Sequence, residues 1–161
     1  MAVTYPAGIN GFLTPFGRQL LLESLFRERL AIPQVWVALL TRSAQETHDG
    51  NTMPEMSSVI SAEDNSGLEV MTGYQRAYYQ SYDARGALRW TQSSNRSIYN
   101  ADQIIFPQAD ARWGLIRGWA LMDQNKGGNI IAAGDTDLIV DTGDQVVIEP
   151  SSLGLVILAG I

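Results

Sequence analysis

The sequence predicts a mainly β protein: an antiparallel β-sandwich, jelly-roll-like, with one N-terminal α-helix packed against it. Three observations predict it. Apolar residues recur at helical spacing in one stretch only, residues 15–30. From Pro33 onward they alternate or run in short β-branched blocks instead. Those blocks are separated by Asp/Gly or Pro/Ser turns at the short spacing of a sandwich or barrel.

The elements follow in order. Residues 1–12 contain Pro and Gly without a period and read as an N-terminal arm. Residues 13–161 read as a single domain with a long loop at about 42–69. Thr14-Pro15 is a helix start, with Thr14 as N-cap and Pro15 at the first helical position. Phe16, Leu20, Leu21, Leu22, Leu25, Phe26 and Leu30 then form a wide apolar stripe. Pro33 ends the helix by Ile32.

Residues 35–41, Val-Trp-Val-Ala-Leu-Leu-Thr, are apolar on both faces, as in a central strand. Residues 70–82 alternate, with Tyr74, Arg76, Tyr78, Gln80 and Tyr82 on one face. After the turn chemistry of residues 83–86, Leu88 to Thr91 reads as the returning strand. Residues 97–106 read as one strand closed by Pro107. In residues 113–122, Trp113, Leu115, Trp119 and Leu121 are expected on one side, and Ile116, Ala120 and Met122 on the other. Residues 129–133, 138–140, 145–149 and 153–158 read as separate short strands. Trp113, Trp36 and Leu121 are expected to be mostly buried.

Composition narrows the function. The 161 residues are 45% hydrophobic, which excludes wholesale disorder. Net charge is -6, which argues against binding nucleic acid through its phosphates. Charged residues are only 17% of the chain, against about 25% in a typical domain. Lys126 is the one lysine, the other ten cations being Arg, the cation that suits interfaces. No cysteine is present, so disulfides, thiolate metal sites and cysteine nucleophiles are excluded. No secretory signal and no apolar run of about 20 residues is visible, so no membrane partner is expected.

Candidate chemistry is sparse. His48 is the only histidine, and beside Asp49 and Gly50 it reads as a solvated loop residue. Asp135, Asp137, Asp141 and Asp144 invite a calcium reading. Counting from Asp135, however, the sixth and twelfth positions are Val140 and Val146 where an EF-hand needs Gly and Glu, so turn chemistry is expected. Residues 127–129, Gly-Gly-Asn, lack the Lys-Ser/Thr of a phosphate loop. Glu63/Asp64 and Asp110/Arg112 do not make a glycosidase pair from spacing alone. No catalytic residue, cofactor or metal site is expected.

Contact surfaces are the better candidates. Val3, Tyr5, Ile9 and Phe12 are apolar residues on an arm with no period of its own. Met53 and Met56 lie in the polar loop, and Met adapts to irregular surfaces. Tyr74, Arg76, Tyr78 and Tyr82, with Trp90 nearby, combine aromatic rings and Arg, as protein interfaces and sugar-stacking platforms do. Packing within one sheet, and an arm and loop folded back on their own domain, remain the plain alternatives.

Four stretches taken in order resemble a family of tailed-bacteriophage virion proteins described as tail-fibre-like or minor tail proteins. These are residues 20–26 running into 33–41; Gly73-Tyr74-Gln75-Arg76; Asn100 to Pro107 with 111–114 and 127–131; and Thr142-Gly143-Asp144 with the β-rich tail to Ile157. The resemblance implies a non-enzymatic structural protein in the virion, in the tail (fibre, collar or baseplate) rather than the head, made in the host cytoplasm. The partners it implies are other virion proteins and copies of itself, as a trimer or ring. A head decoration or cement protein is the alternative within the class, and a module binding host surface glycan the alternative outside it.

Overall fold

A computed structural model describes residues 2–4, 9–26, 34–41, 74–80, 84–85, 89–91 and 97–156. The elements are β1 (Ala2–Thr4), β2 (Ile9–Leu13), α1 (Pro15–Phe26), β3 (Gln34–Leu40), β4 (Ala77–Gln80), β5 (Ser97–Tyr99), β6 (Ile104–Ile105), β7 (Gly114–Met122), β8 (Ile130–Val140), β9 (Gln145–Ile148) and β10 (Leu153–Val156). They form a seven-stranded sheet in the order β4-β3-β7-β8-β2-β10-β5 and a three-stranded sheet in the order β1-β9-β6. The fold is mainly β with one N-terminal helix, as expected. Pairing is antiparallel except at two seams: β1 runs parallel to β9, and β2, antiparallel to β8 on one side, runs parallel to β10 on the other.

The two sheets share a core. Val37, Leu39, Trp119 and Leu121 of the larger sheet cluster with Ile104, Val146 and Ile148 of the smaller, and Phe106 and Trp113 fill the space at its edge. Trp113 and Leu121 are buried as expected. Trp36 is only half-buried, because it stands on the outer face beside the edge strand β4.

The helix starts where the sequence places it, and the chemistry is visible. The Thr14 hydroxyl accepts the Gly17 N–H at 3.1 Å, capping α1, and Arg18 N–H donates to Thr14 O at 2.9 Å. The same hydroxyl lies against the carbonyls of Ile130 and Ile131, and Thr14 N–H donates to Ile131 O at 3.0 Å. Gly17 fits there because a Cβ would collide with Ile131 O. Ile131 is the residue that falls out of register where β7 and β8 shift, so a ladder irregularity coincides with the seat of the helix.

Several expected strands take other forms. Residues 97–106 are split into β5 and β6, which belong to different sheets. The cause is Asn100, fully buried, which leaves the strand path to bind the turn between β9 and β10. Its Nδ2 donates to Glu149 O at 2.9 Å and to Asp102 O at 2.8 Å, and its Oδ1 accepts Leu153 N–H at 2.9 Å. Residues 129–133 and 138–140 are instead one strand, β8, because β7 offers a partner along its whole length.

A bulge lies within that ladder. Gly118 pairs with Asp135 and Ile116 with Leu138, so Thr136 and Asp137 stand opposite the single Arg117. Across this bulge the expected sides change. Ile116 joins the core that holds Trp119 and Leu121, while Leu115 is 41% exposed. Leu88 to Thr91 is reduced, in its described part, to a single bridge between Trp90 and Asn100. In the stretch 70–82, the described strand is Ala77–Gln80, preceded by irregular backbone at 74–76.

Candidate assembly surface

The aromatic face predicted around β4 divides. Ala77 and Tyr79 point into the core, and Tyr78 and Gln80 point out. Tyr78 pairs directly with Trp36 across the β3–β4 ladder, their ring centroids 5.5 Å apart and tilted by 51°. The Tyr78 hydroxyl donates to Gln34 Oε1 at 3.1 Å. This aromatic pair joins a half-buried Trp36 to Tyr78 on the edge strand, with Tyr78 46% exposed.

Tyr74 and Arg76 are engaged inside the chain. Tyr74 stacks on Phe106 at 6.5 Å and meets Trp113 edge-on at 5.3 Å, and its oxygen accepts Leu39 N–H at 2.8 Å. Arg76 is buried, and its Nη1 donates to Gln124 O at 2.7 Å and Gly127 O at 2.8 Å, carbonyls of the turn between β7 and β8. Both residues precede the strand, where the chain no longer follows the sheet's alternation, so their parity with Tyr78 does not put them on its face.

The remaining predicted residues fall in two groups. Val3 lies on β1, and Ile9 and Phe12 lie on β2, so the arm's strands are paired within the domain's own sheets. Tyr5, Met53, Met56, Tyr82 and His48 lie outside the described residues, as does the loop 42–69.

The wide apolar stripe of the helix, expected to pack against the sandwich, lies partly at the surface. Leu22 is 57% exposed and Phe26 79% exposed. The width of the stripe was the available signal, since one helix face cannot bury residues at 20, 21, 22 and 26 together.

Polar groups elsewhere are structural. The Tyr79 hydroxyl donates to Arg89 O and accepts from Ala101 N–H at 3.2 Å, and Arg89 lies over the Tyr79 ring at 4.7 Å while pairing with Asp102 at 2.8 Å. Burial pushes the Tyr79 phenol above its ordinary pKa, against the opposing pull of the Asp102 and Ala101 N–H groups and of Arg89. Asp141 and Asp144 close a turn, where Asp141 N–H donates to Asp144 Oδ2 at 2.9 Å and Gly143 takes a φ of 87°. Asp135 and Asp137, expected in a turn, lie inside β8 at the bulge. Arg112 pairs with Asp141 at 2.8 Å. Among the described residues, no group of three or more His, Asp or Glu side chains comes together as a metal site, and no helix is long and apolar enough to cross a membrane.

A β scaffold whose polar groups serve its own turns, with exposed apolar surface at its edge and on its helix, has the character of a structural subunit. A family model described as podophage GP4 fiber I protein gp80 matches residues 14–156, and the chain belongs to that family. It is thus a bacteriophage fibre protein, of a class that resides in the virion and associates with other virion proteins. The match starts at the cap residue of α1 and spans the elements from α1 to β10. No curated protein matches the chain.

Proposed function

We propose that this chain is a tail component of the virion that works by assembly and carries out no catalysis. The observation that carries the reading is the fibre-family match over residues 14–156. The sequence supports it, with one histidine, no cysteine and a low charged fraction of 17%. Arg dominates the cations, and the exposed pair Trp36–Tyr78 and the open ridge of α1 supply surface for partners. The arm residues Val3, Tyr5, Ile9 and Phe12, the loop residues Met53 and Met56, and Tyr82 are the further contacts proposed beside Tyr78, whereas Tyr74 and Arg76 are engaged within the chain.

The test is to separate purified particles into tails and heads and identify the proteins of each fraction by mass spectrometry. The protein is expected with the tails. Recovery with empty heads would favour a head decoration role, and absence from particles would end the virion reading.

A further inference from the structure

Past the bulge, β7 and β8 run on beyond their described neighbours in the larger sheet. β3 ends at Leu40, opposite Gly118, and β2 pairs along β8 only at Ala132 and Ala133. The ribbon that remains pairs Gly114, Leu115 and Ile116 with Val140, Ile139 and Leu138. One of its faces is core, where Ile116, Leu138 and Val140 join the cluster shared with the smaller sheet. The other face is open. Leu115 and Ile139, directly opposite each other on it, are 41% and 56% exposed. Alternation puts Arg117 beside Leu115 and Asp137 beside Ile139, and both are exposed. At the other end Arg112 meets Asp141 at 2.8 Å, both well exposed. The open face thus has two columns: Arg112, Leu115 and Arg117 on the β7 side, and Asp141, Ile139 and Asp137 on the β8 side.

We infer that this face pairs with the same face of a second copy, about a two-fold axis running along the strands between the two sheets. The charges name both the partner and the axis. Rotation about that axis keeps each residue's height along the ribbon and exchanges its sides. β7 of one copy then lies over β8 of the other, with Leu115 on Ile139, Arg117 facing Asp137 and Arg112 facing Asp141. Every contact occurs twice, as an isologous interface requires. A two-fold axis across the strands would instead set Arg112 against Arg117 and Asp137 against Asp141, like charge on like charge. Aligned packing is also an ordinary way for sheet faces to meet. Burial of Leu115 and Ile139 supplies the affinity, and the exposed charges, worth little in water, fix the register. A face this narrow makes a weak contact in solution and a firm one among copies already held together in a particle. The inference rests on the reading that the chain works by assembly, and is independent of its place in the virion.

The experiment is sedimentation equilibrium of the full chain up to about 1 mM, where even a contact of millimolar affinity shows as dimer. The parent is expected to show a monomer–dimer equilibrium. Arg117→Asp and Asp137→Arg should each weaken it at least about ten-fold, since each sets like charges at both symmetric contacts. An equimolar mixture of the two variants should recover it, because one copy then presents two carboxylates where the other presents two guanidiniums. Leu115→Ser, which leaves the charges alone, should weaken the dimer as well. A parent that stays monomeric throughout, or a mixture that associates no better than either variant alone, overturns the inference. Tail and head fractions separate this from the wider reading. A protein recovered with tails whose mixture stays monomeric loses this pairing alone. One absent from tails whose mixture pairs loses the tail assignment alone.

Discussion

Asn100 and Leu153 hold each other by two bonds: Asn100 N–H donates to Leu153 O at 3.2 Å, and Leu153 N–H donates to Asn100 Oδ1 at 2.9 Å. A side-chain amide thus stands in for a strand. Its other end binds Glu149 O, and Asn100 O accepts Ser151 N–H at 2.7 Å, so one buried residue closes the turn in which Ser151 takes a φ of 63°. Asn100→Ala would strand Leu153 N–H and take a donor from Asp102 O and from Glu149 O, the latter still accepting Ser152 N–H at 3.1 Å. An unpaired buried polar group costs about 1–3 kcal/mol, so the variant should lose about 2–4 kcal/mol in urea denaturation. A loss of stability under about 0.5 kcal/mol would show that water satisfies these groups.

Gly134 sits directly across the ladder from Trp119, and a Cβ there would lie 2.7 Å from the indole Cζ2. Gly11 on β2 presses on the same ring, which is fully buried. The two glycines make the slot that holds the largest buried side chain. Gly134→Ala should cost about 1–3 kcal/mol by overpacking, measured by thermal melting against the parent. A Trp119→Phe, Gly134→Ala double variant should cost less than the sum of the two single changes, because the smaller ring gives the new methyl room.

Tyr79 ties the stability to alkaline pH. Burial raises its pKa, so the folded state holds the phenolic proton more tightly than the unfolded chain does. The stability this contributes is complete below the ordinary tyrosine value near 10 and is lost as pH rises through the higher folded value. Denaturant titrations across that range should show the parent falling, and Tyr79→Phe falling less. At neutral pH Tyr79→Phe should already be about 1 kcal/mol weaker, the net worth of an ordinary hydrogen bond, because Arg89 O and Ala101 N–H lose the hydroxyl but still bond each other at 2.8 Å. Identical alkaline slopes would assign the loss to other groups.

Local chemistry was legible in the sequence, and long-range chemistry was not. Thr14-Pro15 announces a cap, and the apolar run after Pro33 announces a central strand, because both signals reside in neighbouring residues. The break at Asn100 was illegible, since its partners lie about fifty residues away. The reversal between Leu115 and Ile116 depends on a bulge contributed by Thr136 and Asp137 on the opposite strand. At the candidate surface, alternation put Tyr78 and Gln80 on one face, as in β4, but put Arg76 with them, whose guanidinium follows turn carbonyls instead of the sheet. The exposed ridge of α1 was present as an excess of apolar residues. The groove between α1 and the larger sheet is made by six separate segments, at 13–24, 35, 90, 121, 131 and 155, and had no sequence signal.

The N-terminal segment carries the last prediction. It looked like an arm available to partners, yet β2 lies between β8 and β10 and is the sole strand joining the two parts of the larger sheet, while β1 borders β9 in the smaller. Gly11 closes one side of the Trp119 slot. Deleting residues 2–12 would remove β1 and nearly all of β2, expose the edges of β8 and β10, and open that slot to water. The loss should exceed about 4 kcal/mol, beyond the usual reach of a single substitution, and appear as a large drop in melting temperature with new binding of a hydrophobic dye. Failure of such a protein to enter particles would then report folding and not a lost contact. A truncated chain that melts with the parent and binds no dye would show instead that the segment is dispensable to the domain and free to serve a neighbour.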